Sequence, residues 1–253
     1  MREVRAPVKA LCSNLIDYAG LFPPAGLDLP AVVDKYERYR ASADGWILNR
    51  LVLPESVLGA ATICPEWRIS LLIDDREPAG PLPPEIETFE SKAPGSFSRP
   101  TYVEGGEADL LKIRTGGLSP KSIPSAEEIA EFLCRAAFAK QPFKATAGLH
   151  HAIRAERALT YAADSPHAVM HGFVNVFMAA ALAWHGAHPG VVFAVLNEMD
   201  PRAFVLSGDA LIWHGCSLRT AQIEAARANF AHSFGSCSFE EPIADLRDLG
   251  WLP

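Results

Sequence analysis

Short apolar runs alternate with amphipathic stretches along most of the chain. Apolar runs bounded by turn residues read as buried strands, and their alternation with helical periodicity favours βαβ units and a parallel sheet. The first predicted strand is Asn14-Leu15-Ile16-Asp17-Tyr18. A Pro/Gly-rich loop follows at Phe22-Pro23-Pro24-Ala25-Gly26. Asp28 can then cap a helix with Pro30 in its first turn, placing Val32, Val33, Tyr36 and Tyr39 on one side and Lys35, Glu37 and Arg38 on the other. Further strands are predicted over 46–53, 68–73, 85–90, 100–104 and 110–113, with a proline-rich surface connection over 77–84. Ser125 and Glu128 have capping-box spacing and open a helix over 125–140, whose stripe is Ile129, Phe132, Leu133, Ala136 and Ala137. A strand over 142–146 comes next. A mostly helical region is predicted from about 154 to 231, a last strand over 233–239, and a terminal helix or turn over 242–252.

Eight strands, several with a helix after them, are most simply closed into a single (β/α)8 barrel of the TIM type. This is an α/β domain over 1–253, with a helical insert at about 154–231 before the last strand. Such barrels carry their sites at the C-terminal ends of the strands. Asp17, Asn49, Asp74, Glu90, Glu104, Lys112, Arg114, Lys144, His150 and Ser236 stand there, nearly all of them polar. An open doubly wound sheet would also bring them to one edge.

The 253 residues are 49% hydrophobic and carry a net charge of −7, enough apolar material for a large core and the wrong sign for a nucleic-acid partner. The five cysteines are widely spaced with no CxxC, which points to a reducing compartment, the cytoplasm, rather than to disulfides or structural zinc. No signal peptide is predicted, and the longest apolar stretch, 173–184, is too short to span a membrane. Its apolar density exceeds one helix face, which predicts a core helix, a lid or the contact of a homo-oligomer.

Lys112 and Lys144 dominate the candidate chemistry. Each follows a bulky apolar residue in a short strand and precedes a glycine-containing turn. An ammonium in a buried strand is costly unless paired, and two on neighbouring strands would favour the neutral amine. That amine is a nucleophile suited to a Schiff base with a carbonyl substrate. The alternative is that each lysine is salt-bridged to Asp17, Glu90 or Glu104 and only holds the barrel together.

Leu111-Lys112-Ile113-Arg114-Thr115-Gly116, a helix, then Phe143-Lys144-Ala145-Thr146-Ala147-Gly148, with the lysines 32 positions apart, resembles strands six and seven of the deoxyribose-phosphate aldolase group of class I aldolases. Leu15-Ile16-Asp17-Tyr18-Ala19-Gly20-Leu21 is similar to that group's opening strand, and Phe234-Gly235-Ser236-Cys237-Ser238 to its phosphate loop. The resemblance covers roughly 14–148 and 233–238. It implies a (β/α)8 barrel, with Lys112 as the Schiff-base lysine and Lys144 as the neighbour that depresses its pKa. Asp17 would then lie near the substrate hydroxyl, and Gly235, Ser236 and Ser238 near a phosphate. Four features depart from the group: Arg114 beside Lys112, Glu87 or Glu90 in place of a strand-four aspartate, the second glycine after Lys144 displaced to give Ala147-Gly148, and about 80 residues between the last two strands.

The leading reading is a metal-independent lyase acting on a small anionic carbonyl compound. Lys112 and Lys144 carry the chemistry, Asp17 or Glu104 moves protons, and no cofactor is needed. Arg114, Thr115, Gly116, Gly117, Gly148, His150, His151, Gly235, Ser236 and Ser238 would hold substrate or its anion. A second reading is a metal-dependent lyase, isomerase or hydrolase holding a divalent metal through His150 or His151 and His171. His167, His171 and Asn175 are spaced to share one face if that segment is helical, and only one of the two adjacent histidines can enter the site. A third reading is a barrel that binds a metabolite without catalysis. Cys237 reads as a buried structural thiol.

Overall fold

The computed structural model describes residues 3–105 and 108–253. In chain order the elements are α1 (Ala6–Cys12), β1 (Ile16–Tyr18), α2 (Leu29–Arg40), β2 (Leu48–Pro54), β3 (Ile69–Leu72), β4 (Ile86–Ser91), β5 (Thr101–Val103), β6 (Leu110–Arg114), α3 (Ala126–Ala139) and β7 (Phe143–Thr146). They continue with β8 (Ala155–Ala158), β9 (His167–Met170), α4 (Phe173–Trp184), α5 (Pro189–Asn197), β10 (Phe204–Ser207), β11 (Ala210–Trp213), β12 (Cys216–Arg219), α6 (Thr220–Asn229), β13 (Ala231–Ser236) and α7 (Glu240–Asp248). β1 to β7 pair in sequence order, and β13 closes the ring between β7 and β1. All eight pairings are parallel. The chain is therefore a closed eight-stranded parallel barrel of the TIM-like α/β class, and the open-sheet alternative falls away.

The capping signals act as expected. Asp28 accepts a hydrogen bond from the Ala31 amide at 2.9 Å to start α2, and Ser125 and Glu128 close a reciprocal capping box on α3. Two expectations need correction. Among the described residues, β2, β3, β4 and β5 are each followed by a connection without an α-helix, so the regular β/α alternation lapses on one side of the barrel. Short proline-rich links such as 77–84 leave no room for a helical crossover. The insert is also less helical than its apolar content suggests. It holds α4, α5 and α6, but also the antiparallel pair β8–β9 and the antiparallel meander β10–β11–β12. The meander turns at Gly208-Asp209 and His214-Gly215. Gly208, His214 and Gly215 have positive φ there, as tight two-residue hairpins need.

Residues 167–170 are accordingly strand, so His167, His171 and Asn175 do not share a helix face. Every side chain of α4 from Phe173 to Ala183 is buried within the chain. Phe173 stacks on Phe234 of β13 at 5.3 Å between ring centroids, and Phe177 lies 6.4 Å from Phe143 of β7. Packing against the barrel's outer face accounts for its all-round apolar character. Among the described residues no helix is long and apolar enough to cross a membrane.

The barrel's inside is polar. Asp17, Ser70, Glu90, Lys112, Lys144 and Ser233 are all buried there. Near the N-terminal ends of the strands, the Tyr102 hydroxyl lies 2.7 Å from His232 Nδ1. Burial, with the Arg227 guanidinium nearby, pushes the His232 imidazole down to about 4. In the unfolded chain it titrates near 6.5. Because the folded value is the lower one, the stability tied to neutral His232 is full above about pH 6.5 and is lost as the pH falls toward 4, by about 3 kcal/mol. Urea unfolding between pH 7 and 4.5 should show this slope, and His232→Asn should flatten it.

Candidate active site

Alternation along β6 and β7 turns Lys112 and Lys144 to the same side of the wall, and the two residues stand in direct register across the β6–β7 pair. Lys144 Nζ lies 2.5 Å from Asp17 Oδ2 and also donates to Glu90 Oε1. Lys112 Nζ lies 3.5 Å from the other Glu90 oxygen, Oε2, and 3.8 Å from Glu104 Oε2. One carboxylate thus bridges the two amines. Asp17 is held from three more directions: Asn49 Nδ2 at 2.6 Å, the Arg50 amide at 3.2 Å and Ser233 Oγ at 2.7 Å. Ser70 Oγ donates to Glu90 at 2.9 Å, and the Tyr102 ring sits 5.6 Å from the Lys144 ammonium.

Burial alone would raise the Asp17 and Glu90 carboxyls, but Lys144 outweighs it and holds both below the ordinary carboxylate range. Burial would likewise lower Lys144, but Asp17 and Glu90 hold its ammonium well above the ordinary lysine range. The expectation that the two amines would strip each other of protons is thereby corrected for Lys144. Two carboxylates face it, so it stays charged.

Above this layer a cavity of about 480 Å³ opens at the C-terminal mouth of the barrel. Lys112, Glu90, Glu104, Arg114 and Lys92 line it, together with Thr146, Gly117, Gly148, Gly235, His150 and Cys237. Lys144 and Asp17 are not on its surface. Lys112 is therefore the amine a ligand meets, and Lys144 lies sealed behind Glu90. Arg114 Nε lies 3.3 Å from Glu104 Oε1 at the rim, and Arg114 is half exposed.

The proposed anion loops are only partly at the cavity. The Thr115 amide donates to Thr146 O at 2.9 Å and its hydroxyl to Ala147 O, so Thr115 ties β6 to β7. Ser236 Oγ accepts from the Ser238 amide at 3.3 Å, and Ser238 Oγ from the Glu241 amide at 3.2 Å, which shapes the entry to α7. Gly116 abuts Gly148: a Cβ on Gly148 would lie 2.7 Å from Gly116 Cα, and Gly148 has φ +83°. Gly148→Ala should cost roughly 1–3 kcal/mol through this strain and the clash. Thermal unfolding and the cavity's reactivity should fall together, because β6 and β7 are pushed apart at the mouth.

The three candidate metal histidines take separate partners. His150 Nδ1 lies 2.9 Å from Glu241, His151 Nδ1 3.2 Å from Asp245, and His171 between Arg154 and the Pro124 carbonyl. Among the described residues no group of three or more His, Cys, Asp or Glu side chains is arranged to hold a metal ion. Of the adjacent pair only His150 lines the cavity.

Comparison with protein families, with curated proteins and with solved structures returned no match.

The site gives Glu90 and Asn49 roles beyond their place at strand ends, and adds Lys92 and Ser233, which the sequence patterns passed over. Glu90 stands at a strand end but is the bridge between the amines rather than a rim residue. Lys92 adds a second cation to the mouth. Asn49 and Ser233 hold Asp17. The pairing register shifts around these residues, between Ile16 and Tyr18 in β1–β2 and between Ala231 and Phe234 in β13–β7.

Proposed function

We propose that this barrel is a Schiff-base lyase of the class I aldolase type, acting on a small anionic carbonyl compound through Lys112. The observation that carries the reading is the division of labour between the amines. Lys144 is fixed as an ammonium between Asp17 and Glu90, whereas Lys112 sits on the cavity floor with one oxygen each of Glu90 and Glu104 within 4 Å.

In this reading Lys112 gives its extra proton to Glu104, and its lone pair attacks the carbonyl carbon. The carbonyl oxygen takes that proton and a second one, shed by the attacking nitrogen and relayed by the glutamates, and leaves as water, forming an iminium. That cation draws electrons from the bond next to it, so a carbon–carbon bond can break or a proton can leave the α-carbon. Arg114 and Lys92 supply the charge for a carboxylate or phosphate at the rim, which the overall −7 charge does not. Two strong cations at the mouth and an amine at the floor favour a substrate with its anionic group at one end and its carbonyl at the other.

Borohydride reduction in the presence of a panel of small phosphorylated and carboxylated aldehydes and ketones, followed by peptide mapping, tests the proposal. The expected result is a reduced adduct on Lys112. A panel that leaves Lys112 unmodified rejects it.

A further inference from the structure

Beside Lys112, where β7 and β13 end at the same cavity, three elements converge. Cys237 follows β13, His150 follows β7, and Glu241 lies in the first turn of α7. His150 Nε2 lies 3.9 Å from Cys237 Sγ, and His150 Nδ1 lies 2.9 Å from Glu241 Oε2. Tyr161, on the turn joining β8 to β9, donates to the same Glu241 oxygen at 3.2 Å and brings its hydroxyl to 4.0 Å from Sγ. His150 and Cys237 both line the cavity. The neighbouring His151 is engaged with Asp245, so it does not compete for Glu241.

This is the order of groups that activates a thiol: a carboxylate fixing one ring nitrogen, the other nitrogen facing sulfur. We propose that Cys237, His150 and Glu241 form a second reactive centre, a nucleophilic cysteine that adds reversibly to small aldehydes entering the cavity.

Glu241 accepts the Nδ1–H of His150, which leaves Nε2 to take the Cys237 proton. The sulfur lone pair then forms a bond to the aldehyde carbon while the C=O π pair moves onto oxygen. His150 returns its proton to that oxygen, giving a hemithioacetal. Nothing is oxidised or reduced, no group is expelled, and the reverse path restores aldehyde and thiol. Burial alone would lower His150, but hydrogen bonds to Cys237 and Glu241 raise it to about 9. The other cysteines have no such setting. Cys12 is buried, which pushes its thiol up to about 12, and burial also raises Cys134. The centre is independent of imine formation at Lys112, although both open on one cavity.

The test is the rate of iodoacetamide alkylation of each cysteine, read by peptide mass spectrometry across pH 5.5–9.5, a range that brackets the ordinary thiol value of about 8.5. Cys237 should be alkylated at least about tenfold faster than Cys134 and Cys216 in the same sample at pH 6.5. His150→Asn should slow Cys237 at pH 6.5 by at least about tenfold, and Glu241→Gln should give a smaller loss. Propanal should slow the alkylation of Cys237 in the wild type and equally in Lys112→Met. A Cys237 profile like that of an ordinary thiol, in the wild-type protein alone, overturns the activated thiol. An activated Cys237 that propanal does not protect in Lys112→Met overturns the aldehyde addition. Loss of the Lys112 adduct with Cys237 protection retained would reject the imine reading and leave this one standing.

Discussion

Lys112→Met removes the borohydride-stable adduct and lowers carbonyl turnover by at least ~10³-fold, the scale expected when a covalent nucleophile is lost. The protein should remain folded. Glu90 keeps Lys144 on its other oxygen, and Glu104 is partly open to water, so no carboxylate is left buried and unpaired. Lys112→Arg separates charge from nucleophilicity. It preserves the cation beside Glu90 and Glu104 but cannot form an imine, and should be as inactive as the methionine variant. Activity surviving in both variants, measured on whichever carbonyl compound traps best, would remove Lys112 from the chemistry.

Lys144→Met should act first on stability. Asp17 and Glu90 share this one ammonium, and both carboxylates are almost completely buried. Removing it leaves Asp17 without its ion-pair partner and Glu90 with Lys112 alone at 3.5 Å, at a cost of about 3–5 kcal/mol. For a chain of this size the thermal midpoint should drop by roughly 10 °C. The pH dependence supplies the sign. In the wild type both carboxyls titrate below their unfolded values, so the stability they contribute is present above about pH 4 and is lost as the pH falls below it. Without Lys144, burial dominates and the carboxyls take up protons more readily. The deficit of the variant should therefore be largest near pH 7 and narrow as the pH approaches 4. Thermal melts of both proteins at the two pH values decide the matter, and an equal deficit at both would mean that lost packing, not unpaired charge, destabilises the variant.

Much of the barrel is legible in the sequence, because buried parallel strands advertise themselves as apolar runs. All eight barrel strands lie where such runs predict them, and the register of Lys112 with Lys144 follows from equal spacing in consecutive strands. The helix-poor side was hidden, because weakly apolar runs such as 85–90 and 100–104 say nothing about what connects them. The meander in the insert was masked by its apolar content, although Gly208-Asp209 and His214-Gly215 are turn signals at hairpin spacing. Glu90 was among the partners the sequence offered for the lysines, but its bridging of both amines was not readable, since that arises only when the barrel closes and sets the two amines opposite it. His150, Cys237 and Glu241 come from three separate segments, and no local pattern links them.

The uneven wall of the barrel divides the acid from the amine. Lys112 and Lys144 lie on strands that lead into α3 and toward α4, whereas Glu90 and Glu104 belong to β4 and the end of β5, which are followed by no α-helix among the described residues. The nucleophile therefore rides on the braced half and its proton acceptors on the thin half. Sequence drift in the outer loops at 73–85 and 92–100 could reposition the acids by fractions of an ångström while the amine stays put. Such a scaffold lets proton transfer be retuned for a new carbonyl compound without rebuilding the residue that bonds to it.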